Sequence, residues 1–228
     1  MNADTPDSSE VLNHRTRVGQ ERRQKMRMRL VESALVVFSE KGIDASVIED
    51  VIAEAGVSRG TFYNYFRTNY ELVAAVGETL SNELISLIEA HVGGLEDPVE
   101  ILATGLRLFL HVARDYPNFA RFVWRAGLNI DAAGHLVYAY LPGHIARCIE
   151  RGAFRVADVT TALELMVGTM LAATYGMSTR APEPDYPERM VQHVLQAVGV
   201  APQEVARLMA LPLPGFVLPE DSLLVKTR

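Results

Sequence analysis

The stretch from residue 46 to residue 72 constrains this chain more than any other. Ser46-Val-Ile-Glu49 and Thr68-Asn-Tyr-Glu71 both have the capping-box form, in which two side chains satisfy the backbone N–H groups left open at a helix start. Between them, Gly56 can take the left-handed conformation that ends a helix abruptly, and Ser58 stands where a further helix needs its cap. Ile48, Val51, Ile52 and Ala55 recur at helical spacing and mark one buried face. The pattern predicts a short helix, a tight turn, a second short helix to about Phe66 and a long helix from Thr68. Upstream, Val31, Ala34, Leu35 and Phe38 repeat at i, i+3, i+4, i+7, so a longer helix runs to about Lys41 and stops at Gly42. Two short helices behind a longer one, joined by a glycine turn, form the helix-turn-helix pattern.

Charge narrows the choice of partner. Residues 11–30 carry Arg15, Arg17, Arg22, Arg23, Lys25, Arg27 and Arg29 against the single acid Glu21, although the whole chain has a net charge of −6. A basic stretch on an acidic protein is an electrostatic footprint for phosphate. One cysteine, Cys148, excludes an internal disulfide framework and fits a reducing compartment. The polar opening MNADTPDSSE has no signal-peptide core, and no apolar run approaches the ~20 residues of a membrane span. A cytoplasmic protein with no membrane partner is expected. The six histidines have no metal-ligand spacing and no cysteine cluster beside them, so neither metal nor cofactor is expected. Gly56-Val-Ser58-Arg-Gly60 formally matches the nucleophile elbow G-x-S-x-G, but that elbow needs a strand before its serine, and the preceding periodicity is helical. The chain is therefore not expected to be an enzyme.

The residues from Ile48 to Leu72, IEDVIAEAGVSRGTFYNYFRTNYEL, resemble the DNA-binding domain of the tetracycline-repressor family of bacterial regulators. The resemblance rests on Ala55-Gly56-Val57-Ser58, Gly60-Thr61, Tyr63, Tyr65-Phe66 and Leu72, with Ala34, Phe38 and Gly42 upstream. It covers roughly residues 20–75 and implies a ligand-responsive regulator, expected to be a repressor released from a palindromic operator by a small hydrophobic effector. In a helix-turn-helix the N-terminal end of the second short helix enters the major groove, which here presents Ser58, Arg59, Gly60 and Thr61. Arg59 can contact guanine through two hydrogen bonds, and Gly60 lets the backbone approach the base edges. Thr61, Tyr63, Asn64 and Tyr65 offer donors to phosphates, which position the protein, and Ser46 adds a phosphate site at a helix start. Phe62 and Phe66 are the better core candidates among these aromatics. The resembled family usually has a phosphate-contacting Lys where this chain has Asn69, and Arg67 replaces part of that missing charge.

The rest also reads as helical, so the expected fold is all-α. Its parts are a flexible tail (1–17), a helix-turn-helix DNA-binding domain (18–75), a helical-bundle regulatory and dimerisation domain (76–210) and an irregular tail (211–228) containing Pro212, Pro214 and Pro219. Asp97-Pro98 starts a helix to about Asp115, apolar around most of its circumference and hence nearly surrounded by partners. Pro117 opens a short helix, and Pro142 lies inside another that ends near Arg151. The expected effector lining is Phe109, Phe122, Trp124, Tyr138, Met166, Met170 and Tyr175, apolar groups that a tight core would use equally well. Arg107, His111 and Arg114 read as a solvated edge because Glu100 shares their stripe. Helices near 158–178 and 187–198 are expected to make a homodimer, through the stripes Leu163, Met166, Val167, Met170, Leu171 and Val191, Val194, Leu195, Val198, with Gly168, Ala172 and Ala173 permitting close approach. The competing function class is a small-molecule-binding protein or enzyme on the same fold that does not act through DNA.

Overall fold

The computed structural model describes residues 8–43, 47–126, 135–180 and 183–228, with side chains described outside 8–16 and 135–139. Every regular element among the described residues is helical. In chain order they are α1 (Ser8–Lys41), α2 (Ile48–Ala55), α3 (Arg59–Tyr63), α4 (Asn69–Val92), α5 (Pro98–Asp115), α6 (Pro117–Ala126), α7 (His135–Glu150), α8 (Val159–Thr179), α9 (Tyr186–Ala197), α10 (Pro202–Ala210) and α11 (Leu223–Lys226).

Helix ends fall where local chemistry places them. Gly42 follows α1 at φ 96° and Gly56 follows α2 at φ 60°, both in the region that costs a Cβ-bearing residue and costs glycine nothing. The Asp97 carboxylate accepts from Val99 N–H at the start of α5, and Asp158 accepts from Thr161 N–H at 2.8 Å at the start of α8. That backbone bond holds the Asp158 carboxyl below its ordinary range. Thr68 accepts from Glu71 N–H at 3.1 Å, while Glu71 returns the bond to Arg67 N–H at 2.8 Å, one residue earlier than the usual reciprocal pair. The start of α2 differs from expectation. Its cap position is Val47, which offers no side-chain acceptor, and Ser46 lies outside the described residues.

Two apolar clusters organise the molecule. The first joins α1, α2 and α4 to Phe119, Ala120 and Phe122 of α6, so the helix-turn-helix core continues past residue 75. The second is built from α5, α7, α8, α9 and α10. α5 packs against α4, α6, α7, α8 and α9, as its broad apolar surface requires. α6 lies between the clusters, packed on α1 at one side and α8 at the other. Phe109 and Met177 touch both clusters.

Both ends of the chain depart from expectation. Residues 8–17 are the first turns of α1, because that segment continues an unbroken helix-compatible run. Residues 223–226 form α11, with Leu223 and Leu224 buried in the first cluster. The three prolines make only the stretch before it irregular.

Candidate nucleic-acid interface

α3 is five residues long and stays helical because both ends are tied down. Ser58 Oγ accepts from Thr61 N–H at 3.0 Å, and Phe62 is wholly buried beneath the helix, with Phe66 just beyond. Anchoring through Phe62 and Phe66 turns the other face outward, leaving Ser58, Arg59, Gly60, Tyr63 and Asn64 exposed. A side chain added at Gly60 would meet nothing of this chain closer than Ser58 Oγ at 3.9 Å. The absence of a side chain at Gly60 thus serves no intrachain packing. It leaves the backbone of α3 bare toward solvent, as close approach to an external partner requires.

Arg59 pairs with Glu49 of α2 at 3.0 Å, and its guanidinium sits 5.8 Å from the Tyr63 ring centre. Both members of the pair are more than half exposed, so the pair contributes only ~0.2–1 kcal/mol and is readily exchanged for another acceptor. Tyr65 is half-buried, packed on the first cluster with Arg23 of α1 6.0 Å from its ring centre. The described part of α1 ahead of Leu30 is largely exposed, with Lys25 in solvent and Arg22 and Arg23 on the side that meets α3. A cleft of about 590 Å³ separates the two helices, lined by Gly19, Arg22, Arg23 and Met26 on one wall and Thr61, Asn64 and Tyr65 on the other. Guanidinium groups face hydroxyl and amide groups across it, a donor set suited to a phosphate strand.

Arg67 is exposed beside this surface. Asn69 has a different occupation: its amide donates to the Ile43 carbonyl, tying the start of α4 to the turn after α1. Its Oδ1 is buried without a partner. Ser58 follows a helix, α2, and caps another, so the strand-turn-helix context of a nucleophile elbow is not present around it. Among the described residues no cluster of three or more His, Cys, Asp or Glu could hold a metal ion. No helix among them is long and apolar enough to cross a membrane.

The residues expected to line an effector site separate into groups. Phe122 is buried in the first cluster, its ring 6.4 Å from that of Phe38. Met166 and Met170 are buried in the second cluster, and Phe109 stands between the two, edge-on to Phe119 at 5.6 Å. Trp124 and Tyr175 lie together at the surface, 39% and 46% exposed, with ring centres 4.5 Å apart. Tyr138 belongs to α7, and its side chain is outside the described residues.

The solvated-edge reading of Arg107 is overturned. Arg107 is buried; one terminal nitrogen donates to the Leu211 carbonyl at 2.9 Å, and Nε has no partner among the described residues. Burial pulls its pKa down, and Glu188, 4.0 Å away, partly opposes this. His111 Nε2 lies 2.6 Å from the same Glu188 carboxylate. Glu188 and the Leu211 carbonyl belong to α9 and the end of α10, which inspection of the α5 stripe alone does not bring to mind.

The expected dimer stripes are corrected too. Val191, Val194 and Leu195 of α9 with Val198 just past its end, and Leu163, Met166 and Met170 of α8, are buried within the chain, as is Ala173. α8 leaves Leu165, Gly168, Ala172 and Tyr175 exposed at helical spacing, with Thr161, Glu164 and Thr179 exposed on the same side.

Comparison with known proteins bears on the family and the fold. The family model described as bacterial regulatory proteins, tetR family, matches residues 30–76, and that described as the tetracyclin repressor-like C-terminal domain matches residues 97–210. The uncharacterized HTH-type transcriptional regulator YvdT of Bacillus subtilis is 36% identical over 69 residues, 30% of this chain and 36% of that protein. TtgR of Pseudomonas putida, an HTH-type transcriptional regulator, is 31% identical over 101 residues, 44% of this chain and 47% of its own length. The chain thus matches between about a third and a half of these two relatives. RolR without ligand superposes with a TM-score of 0.67 at 24% identity, over 83% of this chain and 98% of that one. FadR from Bacillus subtilis in complex with stearoyl-CoA gives 0.62 at 20% identity, over 77% and 98%.

Proposed function

From a chain that belongs to the tetracycline-repressor family of bacterial regulatory proteins, we propose a sequence-specific, ligand-responsive DNA-binding regulator acting as a homodimer, a repressor that leaves a palindromic operator when an apolar effector binds. The observation that carries the reading is the bare outer face of α3. Ser58, Arg59, Gly60 and Thr61 stand at its N-terminal end, Gly60 opens the backbone, and Arg59 is held by an exposed ion pair and the exposed Tyr63 ring. Arg59 gives up Glu49 for guanine O6 and N7 in the major groove. Arg22, Arg23, Thr61, Asn64 and Tyr65 receive the phosphate strand in the cleft between α1 and α3, with Tyr63 and Arg67 beside it. Asn69 supports this surface through its bond to Ile43 in place of a charge on phosphate.

Two copies meet through the exposed strip of α8, with Trp124 and Tyr175 at its margin. The α9 stripe is spent on the intrachain core, so α9 contributes through its outer face. The effector inserts beside Met166 and Met170 of the second cluster, next to Phe109, which adjoins both clusters. Two structures similar to this chain are of ligand complexes, RolR with resorcinol and FadR with stearoyl-CoA, and both ligands carry apolar bulk. Because α6 is clamped between α8 and α1, an effector that spreads α5 from α8 moves α6, and the Phe122–Phe38 contact carries that movement into the DNA-binding helices.

The test is selection of bound duplexes from a random-sequence pool, followed by anisotropy titrations at several salt concentrations. The expected result is a palindromic selected site whose binding constant falls linearly with salt on logarithmic axes. The absence of any salt-dependent specific complex would transfer the protein to the class of small-molecule-binding proteins or enzymes on this fold.

A further inference from the structure

The segment 212–228 lies beyond the span of the C-terminal family model, and the proposed DNA reading does not use it. It nevertheless makes a dense set of contacts where the DNA-binding helices join the regulatory bundle. The Glu83 carboxylate of α4 accepts from Ser222 Oγ at 2.6 Å and from Leu223 N–H at 2.6 Å, with Leu224 N–H further off at 3.4 Å. Lys226 Nζ pairs with Glu32 of α1 at 2.7 Å. Asn118 of α6 donates to the Thr227 carbonyl and accepts from Ser39 of α1 at 3.0 Å, so one side chain joins three parts of the molecule. Arg228 lies 5.5 Å from the ring centre of Tyr116, and His91 Nε2 is 3.3 Å from the Gly215 carbonyl. Leu223 and Leu224 are buried in the first cluster, while Phe216 and Leu218 pack against it.

We propose that residues 212–228 are an intramolecular strap that fixes the pose of the DNA-binding helices relative to the regulatory bundle, and thereby sets operator affinity. The strap grips α1, α4 and α6 at once, and α4 and α6 pack on both the DNA-binding helices and the regulatory bundle. Its polar bonds come from side chains of those helices, so it gives way without breaking any helix ladder. Bound, it holds the recognition helices of a dimer at one separation. Released, α1 and α4 sample a range of poses of which only a fraction fits both half-sites. Phosphate contacts by a single subunit need no such match. The strap therefore governs specific binding and leaves non-specific binding untouched.

This inference rests on the DNA-binding reading, and its test separates the two. The full chain, the Glu83→Gln variant and a variant ending at residue 218 are compared by amide hydrogen exchange and by binding to two duplexes, the site selected from the random pool and a scrambled one. Faster exchange in residues 30–38 and 72–87 of both variants is expected, with selected-site affinity falling about tenfold, within the usual range of coupling between sites. Affinity for the scrambled duplex is expected to be unchanged. Unaltered exchange in both variants overturns the strap, as does an equal loss on both duplexes. Should the shortened chain lose its helical circular dichroism, Glu83→Gln decides alone, since it retains the whole segment and alters only its polar tie to α4. If the unmodified chain binds neither duplex, the DNA reading fails, and the exchange data still decide whether the segment restrains α1 and α4.

Discussion

Arg59 and Glu49 face each other at 3.0 Å across the glycine turn between α2 and α3, a pairing of the expected base-reading side chain with an acid of the preceding helix. The acid competes with DNA for the guanidinium. Replacing Glu49 with Gln should tighten binding to the selected site by about 0.2–1 kcal/mol, the worth of an exposed pair, with the gain shrinking as salt rises. Arg59→Ala should cost ~1–3 kcal/mol on the selected site and relax preference at one base per half-site. Anisotropy on matched and scrambled duplexes checks both; an equal loss on the two would place Arg59 on phosphate.

Asn69 acts on stability before it acts on DNA. Its amide satisfies the Ile43 carbonyl at the turn after α1. Asn69→Ala leaves that carbonyl without its partner, and thermal unfolding should report a loss of ~1–3 kcal/mol. The slope of binding constant against salt should not change, because no charge is removed.

Phe122 faces Phe38 at the contact between α6 and α1, and both are wholly buried. Truncation to Ala should destabilise the chain by ~3–5 kcal/mol in chemical denaturation. A Leu at the same position keeps most of the volume, so a retained fold with a weakened effector response is the expected outcome, read as DNA release.

Gly168 sits on the exposed strip of α8, and a side chain built there meets nothing of its own subunit. Gly168→Glu should therefore leave the melting of an isolated subunit unharmed while placing a charge in the proposed dimer contact. Light scattering coupled to size exclusion should report a monomer, and Trp124 fluorescence should shift to the red as the neighbouring surface becomes wet. A dimer that survives this change would move the interface to another face.

Cys148 is buried, and burial pushes its thiol from an ordinary value of 9.0 up to about 12. Between those values the unfolded chain loses its proton while the folded chain keeps it. The folded state then binds more protons, so its stability should decline as pH rises from about 9 to about 12, and this site should have no effect below pH 9. Thiol reagents at neutral pH should label Cys148 only after denaturation, and rapid labelling of the native protein would contradict its placement.

Local chemistry was legible in the residues themselves. Gly42 and Gly56 end helices, Ser58, Thr68, Asp97 and Asp158 begin them, and Phe62 and Phe66 turn inward, because each depends on neighbours within a few positions. The outward set on α3 followed from the same periodicity. Burial of a particular side chain was decided elsewhere. Arg107 looks solvated beside Glu100, yet α9 and α10 cover it with Glu188 and the Leu211 carbonyl. The α9 stripe could serve a neighbour in its own chain or in another, since periodicity identifies an apolar face without naming what covers it. Tertiary packing assigned Val191, Val194, Leu195 and Val198 inward and left Leu165, Gly168, Ala172 and Tyr175 of α8 open. The docking of Leu223 and Leu224 depends on Glu83, some 140 positions away, and a bond across that separation leaves no periodic trace in the residues between its partners.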